Sequence, residues 1–228
     1  MIDAQTQQQL LCAIYDVFAE WAEPFPFACR KGCAACCTRS VTMTTLEGQG
    51  IMAYLDAAGR KRELATLAAE TGKPCGQRST TNTFVGAHLK GEGVEDGADF
   101  DMRPCPLLRQ GSCSIYPVRP FGCRLFASMT PCGQNGAAEM PPGYLAAATA
   151  MLQCIEHLDS GGRWGTLVEL LAGVSDNQAE SCGEATVPIP GFLIAPDERA
   201  MVEPLLHRLL HQEISGKTFE QWLQEARS

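Results

Sequence analysis

The stretch CRKGCAACC, residues 29–37, places four cysteines close together in a chain of 228 residues. A second cysteine-rich window follows, and we define the two windows as residues 29–46 and 102–132. The chain has 12 cysteines in all, more than a protein of this size needs for packing. The windows contain eight of them: Cys29, Cys33, Cys36, Cys37, Cys105, Cys113, Cys123 and Cys132.

Three explanations compete for these cysteines. Disulfide bonds are disfavoured because the N-terminal stretch, MIDAQTQQQLL, lacks the basic and apolar regions of a signal peptide. We therefore expect a cytoplasmic protein with reduced thiols. Packing as small buried hydrophobes explains Cys12, Cys154 and Cys182, which lie in or near apolar helical patterns, but not a cluster among Gly, Lys and Arg. Thiolate binding to a soft metal explains the windows best. Cys75 has no close partner in sequence, and its role stays open.

The charges around the cysteines agree with a metal site. The two windows contain no Asp or Glu, although the chain has 26 acidic residues and a net charge of −8. Nearby cations would offset the negative charge of a thiolate cluster, and we assign this role to Arg119 and Arg124 in particular. All seven cations of the windows are candidates: Arg30, Lys31, Arg39, Arg103, Arg109, Arg119 and Arg124.

The overall composition limits the partners. The net charge of −8 disfavours nucleic acid, although the local basic patch is compatible with it. No apolar run approaches the roughly 20 residues of a membrane-spanning helix, so we expect no membrane partner. A protein or redox partner, of unknown identity, is the remaining expectation.

The available donor atoms limit which metals the windows could bind. Because the windows contain no His, the donors are sulfur only, which favours an iron–sulfur cluster or zinc over hard cations. Eight thiols are enough for two four-thiolate sites. The neighbours Cys36 and Cys37 then either divide between two sites or bridge two metals, and a single cluster with spare thiols is the alternative. The Cys105-Pro106 pair and the surplus of positive charge favour iron–sulfur slightly.

The cysteine pattern resembles the CxxCxxCC cysteine-cluster family, the YkgJ-type zinc- or iron-chelating proteins. The resemblance covers roughly residues 25–135 and implies metal or iron–sulfur binding without a settled reaction. A flagellin lysine methylase has a similar cysteine motif, but such enzymes are longer, and we do not transfer that activity. The matching blocks are Cys33–Cys37 with Cys29 upstream, Val41–Glu47, Cys105–Leu108, Cys113–Tyr116, Arg119-Pro120 and Cys123–Phe126.

Apolar periodicity predicts a mainly α-helical protein whose helices pack around an irregular, cysteine-rich metal-binding core. We divide the chain into a cysteine-cluster domain with N-terminal helices, residues 1–142, and a helical C-terminal region packed on it, residues 143–228. Helices are expected through the apolar positions from Leu10 to Trp21, after the capping box of Thr44 and Glu47, and again towards Ala69.

Further helices are expected in the C-terminal region. One carries the stripe of Leu145, Ala148, Leu152 and Ile155, and one carries the stripe of Trp164, Leu167, Val168 and Leu171. Two more carry Val202 to Leu209 and Phe219 to Leu223. We interpret His207 and His211 as ordinary helix-surface residues.

The remaining segments are predicted to be irregular. Residues 86–101, with His88, should form an exposed acidic loop. The second window, rich in proline, should be coil folded around metal. Its packing residues are expected to be Ile115, Tyr116, Phe121 and Phe126.

Two functions follow from these observations. The first is a metal-binding or iron–sulfur protein in a structural, electron-transfer or metal-handling role. The alternative is an iron–sulfur-dependent oxidoreductase or a group-transfer, methylase-like enzyme, for which no catalytic residue can be assigned. Cys29, Cys33 and Cys36 also have the spacing of radical iron–sulfur enzymes, but the chain lacks the alternating strands of their barrel.

Overall fold

The computed structural model describes residues 2–30, 32–63, 79–93, 100–132, 137–175 and 183–227. Lys31, Cys75 and Cys182 lie outside these ranges, as does the helix predicted to run towards Ala69. Within them the protein is mainly α-helical, as expected, and none of the helices is long and apolar enough to span a membrane. The helices are α1 Ala4–Ala22, α2 Thr45–Ala57, α3 Thr81–Leu89, α4 Phe121–Arg124, α5 Tyr144–Leu158, α6 Leu167–Ser175, α7 Arg199–Leu210 and α8 Phe219–Ala226, with a 3-10 turn at Tyr116–Val118.

Helix α1 begins and ends where its sequence indicates. The Asp3 carboxylate accepts a hydrogen bond from the Thr6 backbone N–H at 2.9 Å, which satisfies a free donor of the first turn. The helix ends at Ala22, shortly before Pro24, whose ring cannot continue a helix. Its buried face includes Leu10, Leu11, Ile14, Val17 and Phe18.

Helix α2 begins at the predicted capping box. The Thr44 hydroxyl accepts from the Glu47 N–H, and the Glu47 carboxylate accepts from the Thr44 N–H at 2.9 Å. These reciprocal bonds satisfy two backbone donors that the helix itself leaves free. The box therefore fixes the point at which the chain turns from the first cysteine window into helix.

A small antiparallel sheet adjoins this turn. It consists of β1 Thr42–Thr44, a central β4 Arg163–Thr166 and β5 Glu184–Ala185. Two short hairpins stand apart from it, β2 Leu108–Arg109 with β3 Ser112–Cys113, and β6 Glu213–Ile214 with β7 Lys217–Thr218. The predicted helical stripe is confirmed for Leu167, Val168 and Leu171, but it was wrong for Trp164, which pairs with Thr44 in the sheet.

The following helix, α6, begins only after this strand. A capping interaction between Thr166 and Glu169 marks its start: the Glu169 carboxylate accepts from the Thr166 N–H at 3.1 Å, and the Thr166 hydroxyl accepts from the Glu169 N–H. The local capping signal thus outweighs the apolar periodicity that runs through Trp164.

Two hydrophobic clusters hold the described residues together. The larger contains residues of α1, α5, α7 and α8, which lie on both sides of the predicted domain boundary at residue 142. The boundary itself stays a prediction. The smaller is formed by β1, α2 and α6 with Leu107 and Ile115 of the second window. Cys105, Cys113 and Cys123 pack against this smaller cluster, so the cysteine-rich segment lies on a hydrophobic base.

Other details differ from expectation. Residues 86–89 belong to helix α3 rather than to a loop, and His88 stacks on Phe84 one turn earlier at a ring distance of 5.2 Å. Leu145 is 57% exposed, because the buried face of α5 is centred on Ala147, Met151 and Ile155. The exposure of Leu145 arises because packing against distant elements decides which face of the helix is buried.

Candidate metal centre

Backbone pairing joins the two cysteine windows directly. The Cys105 N–H donates to the Cys37 carbonyl at 2.9 Å, and the Arg39 N–H donates to the Arg103 carbonyl at 3.1 Å. Thr38 and Pro104 form an antiparallel bridge between these bonds. Residues far apart in sequence are thereby held side by side, with Cys37 next to Cys105.

The second window contains short regular elements instead of the predicted coil. Leu108 pairs with Cys113 across the β2–β3 hairpin, and Gln110 and Gly111 form its turn with φ values of 50° and 76°. A two-residue turn with both φ values positive matches the twist of paired strands. The hairpin therefore sets the position of Cys113 relative to Cys105.

Helix α4 carries Cys123 and is held by a residue that the sequence analysis did not assign to the site. The Glu47 carboxylate accepts from the Phe121 N–H at 2.6 Å and from the Tyr15 hydroxyl at 2.8 Å, in addition to its capping-box bond. Burial raises the pKa of Glu47. The capping-box signal identified Glu47 as a helix cap, but its contact with Phe121 spans 74 positions and has no local signal.

Close packing fixes α4 against β1. A Cβ atom on Gly122 would lie 2.4 Å from the Thr42 carbonyl oxygen and 3.1 Å from Val41 Cγ1. Glycine is therefore the residue that allows the backbone of α4 to approach the strand this closely. Cys123 follows immediately, so its position depends on this contact.

Four thiols form what we call the Cys37 group: Cys37, Cys105, Cys113 and Cys123. The hydrogen bond from Cys36 lowers the pKa of Cys37, and the charges of Cys123, Cys105 and Cys113 oppose this shift, so these thiols lie within electrostatic range of Cys37. Burial raises the pKa of Cys123 and of Cys105, and the charge of Cys113 adds to both shifts. Like charges in a partly buried site disfavour the bare thiolates, a cost that a bound cation would remove.

The other four thiols form the Cys29 group: Cys29, Cys33, Cys36 and Cys132. Burial raises the pKa of Cys29, and the charges of Cys33, Cys132 and Cys36 raise it further. The Ala28 N–H donates to the Ser128 carbonyl at 2.8 Å, which connects the start of the first window to the end of the second. This group, like the first, combines residues from both windows.

Cys36 and Cys37 lie where the two groups meet. The Cys36 thiol donates a hydrogen bond to Cys37, which raises the pKa of Cys36 and lowers that of Cys37. Cys37 is therefore the member of the pair that ionises more readily. The charge of Cys36 also contributes to the raised pKa of Cys123, so the pair of Cys36 and Cys37 links the two groups.

The donor set fits a thiophilic metal, although the side chains are not arranged as a ligand shell. In the part of the chain that the structure describes, no three Cys, His, Asp or Glu side chains are placed as a set that could hold a metal ion. The predicted ligation by eight cysteines therefore stays a prediction. Cys29 and Cys33 are exposed, and the other six cysteines are half-buried. Their side chains therefore have room to rotate within each group.

Histidine does not add to this donor set. His157 is buried between the Leu223 carbonyl and the Ile189 N–H, and His207 of α7 stacks on His211, which follows the last residue of that helix. Sulfur is thus the donor that the two groups offer, which suits zinc or iron and not a hard cation.

The two arginines assigned to charge compensation differ in position. The hydrogen bond to Cys37 and burial raise the pKa of Cys36, and the nearby charge of Arg119 partly offsets this shift. Arg124 instead stacks on Tyr15, with its Cζ atom 4.3 Å from the ring centroid. Its charge offsets part of the rise that burial causes in the pKa of Tyr15 and of Cys12. A role in cluster charge compensation stays a prediction for both. Among the other cations, Arg103 pairs with Asp101, which lies just outside the second window.

Of the four residues expected to pack in the second window, two are buried and two are exposed. Ile115 and Phe121 are almost completely buried, whereas Tyr116 and Phe126 are 37% and 42% exposed. The ring of Tyr116 instead supports the Arg119 guanidinium at 3.8 Å. The 3-10 turn that begins at Tyr116 directs this ring outward, away from the smaller cluster that holds Ile115.

The outlying cysteines lie apart from both groups where they are described. Cys154 is fully buried in α5, and burial raises its pKa to about 12, as expected of a small packing residue. The same expectation for Cys12 was wrong, because its side chain is exposed on α1.

Comparison with known proteins agrees with this site. A family model described as "CxxCxxCC: Putative zinc- or iron-chelating domain" matches residues 28–141, a range that contains all eight cysteines of the two groups. No curated protein and no solved structure matches the chain. Because the family model spans half of the 228 residues, this protein belongs to the CxxCxxCC family of zinc- or iron-chelating domains.

Proposed function

We propose that this protein binds metal through two four-thiolate sites, one in the Cys37 group and one in the Cys29 group, in a structural, electron-transfer or metal-handling role. The observation that carries the proposal is the backbone pairing of Cys37 with Cys105, together with the charges of Cys105, Cys113 and Cys123 acting on Cys37 and those of Cys33, Cys36 and Cys132 acting on Cys29. Cys36 and Cys37 divide between the sites, as adjacent residues that cannot easily serve one tetrahedral ion.

The chain's own groups prepare the sites for a cation. Backbone pairing at Cys37 and Cys105, the β2–β3 hairpin and the Glu47 contact with α4 hold the segments that carry the Cys37 group next to one another. Their mutual repulsion as thiolates is relieved when a divalent ion or a cluster binds them. Metal binding would therefore add to the stability of a segment with little regular structure of its own.

We propose an iron–sulfur cluster as the cellular occupant, with zinc able to bind the same thiolates. An iron–sulfur cluster supplies reversible one-electron chemistry, whereas zinc supplies none. The positive charge beside Cys36 supports this choice, because a cation raises the reduction potential of a nearby cluster. The half-buried state of six thiols leaves the sites open towards a redox partner. A reducing cytoplasm would keep these thiols available.

Metal and sulfide analysis tests the occupant. Protein purified without oxygen is expected to be brown, to contain iron and acid-labile sulfide, and to bleach on oxidation. A colourless anaerobic preparation with stoichiometric zinc and no sulfide would contradict the iron–sulfur assignment and leave a zinc protein. A preparation that binds neither metal would contradict the whole proposal.

Single substitutions test the division into two sites. We expect Cys113→Ser to remove the metal of the Cys37 group and Cys132→Ser to remove that of the Cys29 group, each leaving about half of the metal bound. Cys12→Ser and Cys154→Ala are matched controls that should retain all of it. Complete loss of metal from either single variant, with folding preserved by circular dichroism, would instead support one shared site.

A further inference from the structure

A cleft beside the Cys29 group has the composition of a ligand site. It lies between the second half of α1, the segment that follows it and the start of α5, and its volume is about 290 Å³. This is near the lower end of the roughly 300–1,000 Å³ of small-molecule pockets. Its lining includes the aromatic rings of Phe18, Phe25, Phe27 and Tyr144, the guanidinium groups of Arg119 and Arg124, and the exposed carboxylate of Glu23.

The aromatic wall is preformed. The Tyr144 ring contacts Phe27 at a centroid distance of 5.3 Å, Phe18 at 5.4 Å and Phe25 at 6.3 Å. Phe25 and Phe27 are only half-buried, although Tyr144 and Phe18 are buried. The wall therefore retains apolar surface for a flat ligand without a rearrangement of the core.

The two guanidinium groups give the cleft more positive than negative charge, since Glu23 is the one acidic side chain among the described lining residues. Arg124 donates through Nε to the Arg119 carbonyl and through Nη2 to the Pro117 carbonyl, and Arg119 donates through Nη1 to the Tyr116 carbonyl. Neither forms an ion pair with a carboxylate in the described residues. Each therefore retains N–H groups able to bind an anion.

We propose that this cleft binds a small aromatic carboxylate, with its ring against Tyr144, Phe25 and Phe27 and its carboxylate between Arg119 and Arg124. A planar guanidinium matches the two oxygens of a carboxylate, and the aromatic wall matches a flat apolar body. None of the eight window cysteines lines the cleft, so the site is distinct from the proposed metal sites.

The cleft is nevertheless next to the Cys29 group. The pKa of Tyr144 is raised to about 12, mainly by burial and further by the nearby charge of Cys29. Arg119, which also lines the cleft, lies near enough to Cys36 for its charge to influence the pKa of that thiol. A bound carboxylate would therefore lie beside whatever the Cys29 group holds.

Isothermal titration of the full-length protein, as purified, with phenylacetate and with the neutral phenylacetamide tests the charge requirement. We expect saturable one-to-one binding of phenylacetate and at least tenfold weaker binding of the amide, since a charge-assisted hydrogen bond accounts for about this factor. No saturable phenylacetate binding, or equal binding of the two compounds, would overturn the proposal.

Variants locate the binding site. Arg124→Gln should weaken phenylacetate binding about tenfold or more. Arg109→Gln, which removes an exposed cation of the same window that does not line the cleft, should leave it unchanged. Ala19→Phe, at an exposed position that lines the cleft, should abolish binding by filling the cleft, and Ala4→Phe on the same helix should not. Equal losses in the Arg109 and Arg124 variants, or unchanged binding in Ala19→Phe, would contradict the assignment.

Discussion

The substitution Gly122→Ala tests the contact that positions Cys123. The added Cβ atom would lie 2.4 Å from the Thr42 carbonyl oxygen, whereas real Cβ atoms essentially never come within 3.0 Å of such an atom. The Thr42 oxygen is a backbone atom and the Cβ position is set by the backbone at residue 122, so a side-chain rotation cannot relieve the clash. The two backbones must separate by about 0.6 Å, and Cys123 moves with α4.

The magnitude follows from two opposing terms. Overpacking of a tight contact costs typically about 1–3 kcal/mol, and a clash with backbone belongs near the upper limit. Alanine in place of glycine recovers about 0.5–1 kcal/mol of chain entropy. We therefore expect a loss of about 2 kcal/mol in the free energy of unfolding. With a urea dependence of about 2 kcal/mol/M, the unfolding midpoint should fall by about 1 M.

The metal content should fall as well. Metal–ligand distances tolerate deviations of only about 0.2 Å, which is less than the displacement forced on Cys123. Urea unfolding followed by circular dichroism, on protein treated with chelator and on metal-loaded protein, separates the packing cost from the metal contribution. We expect the two losses to add in the loaded protein.

The matched control is Gly93→Ala. Gly93 is exposed, and an added Cβ atom there would meet nothing within 4 Å. Its unfolding midpoint and metal content should equal those of the unmodified protein. If Gly122→Ala unfolds within about 0.3 M of Gly93→Ala and binds as much metal, the close approach of α4 to β1 does not position Cys123.

Two further predictions concern buried carboxylates. Glu47→Ala should lower the free energy of unfolding by about 3 kcal/mol, since the buried Phe121 and Thr44 N–H groups lose their acceptor. Tyr15→Phe, which removes one of the same bonds, should cost about 1 kcal/mol in the same urea assay, and equal losses would contradict this. Burial raises the pKa of Asp159 from 3.8 to about 6. The stability contributed by protonated Asp159 is therefore present below pH 4 and is lost as pH rises through 6. The loss amounts to up to about 3 kcal/mol. Asp159→Asn keeps an oxygen for the bonds from Thr45 and the Leu46 N–H, so urea midpoints at pH 4 and 7 should differ less in this variant; an unchanged difference would exclude the assignment.

Several elements could be predicted because their signals are local. The apolar periodicity of α1 and the capping box at Thr44 and Glu47 involve residues within a few positions of each other. Trp164 shows where such reasoning fails: its spacing relative to Leu167 suggested a helix, but pairing with Thr44 made it a strand residue. Strand pairing depends on a partner more than 100 residues away, which periodicity does not report.

The candidate site shows the same division. The sequence by itself determined the donor chemistry, because eight cysteines in two windows without His or acidic residues leave sulfur as the ligand atom. It also determined the family, through the spacing of those cysteines.

Only the tertiary structure decided which segments meet at the candidate site. The bond between Cys105 and Cys37, the Glu47 contact with Phe121 and the cleft at Tyr144 all join residues distant in sequence. Such long-range contacts carry no periodic or capping signal, since they are selected by the burial of two surfaces against each other and by the need to satisfy every buried polar group.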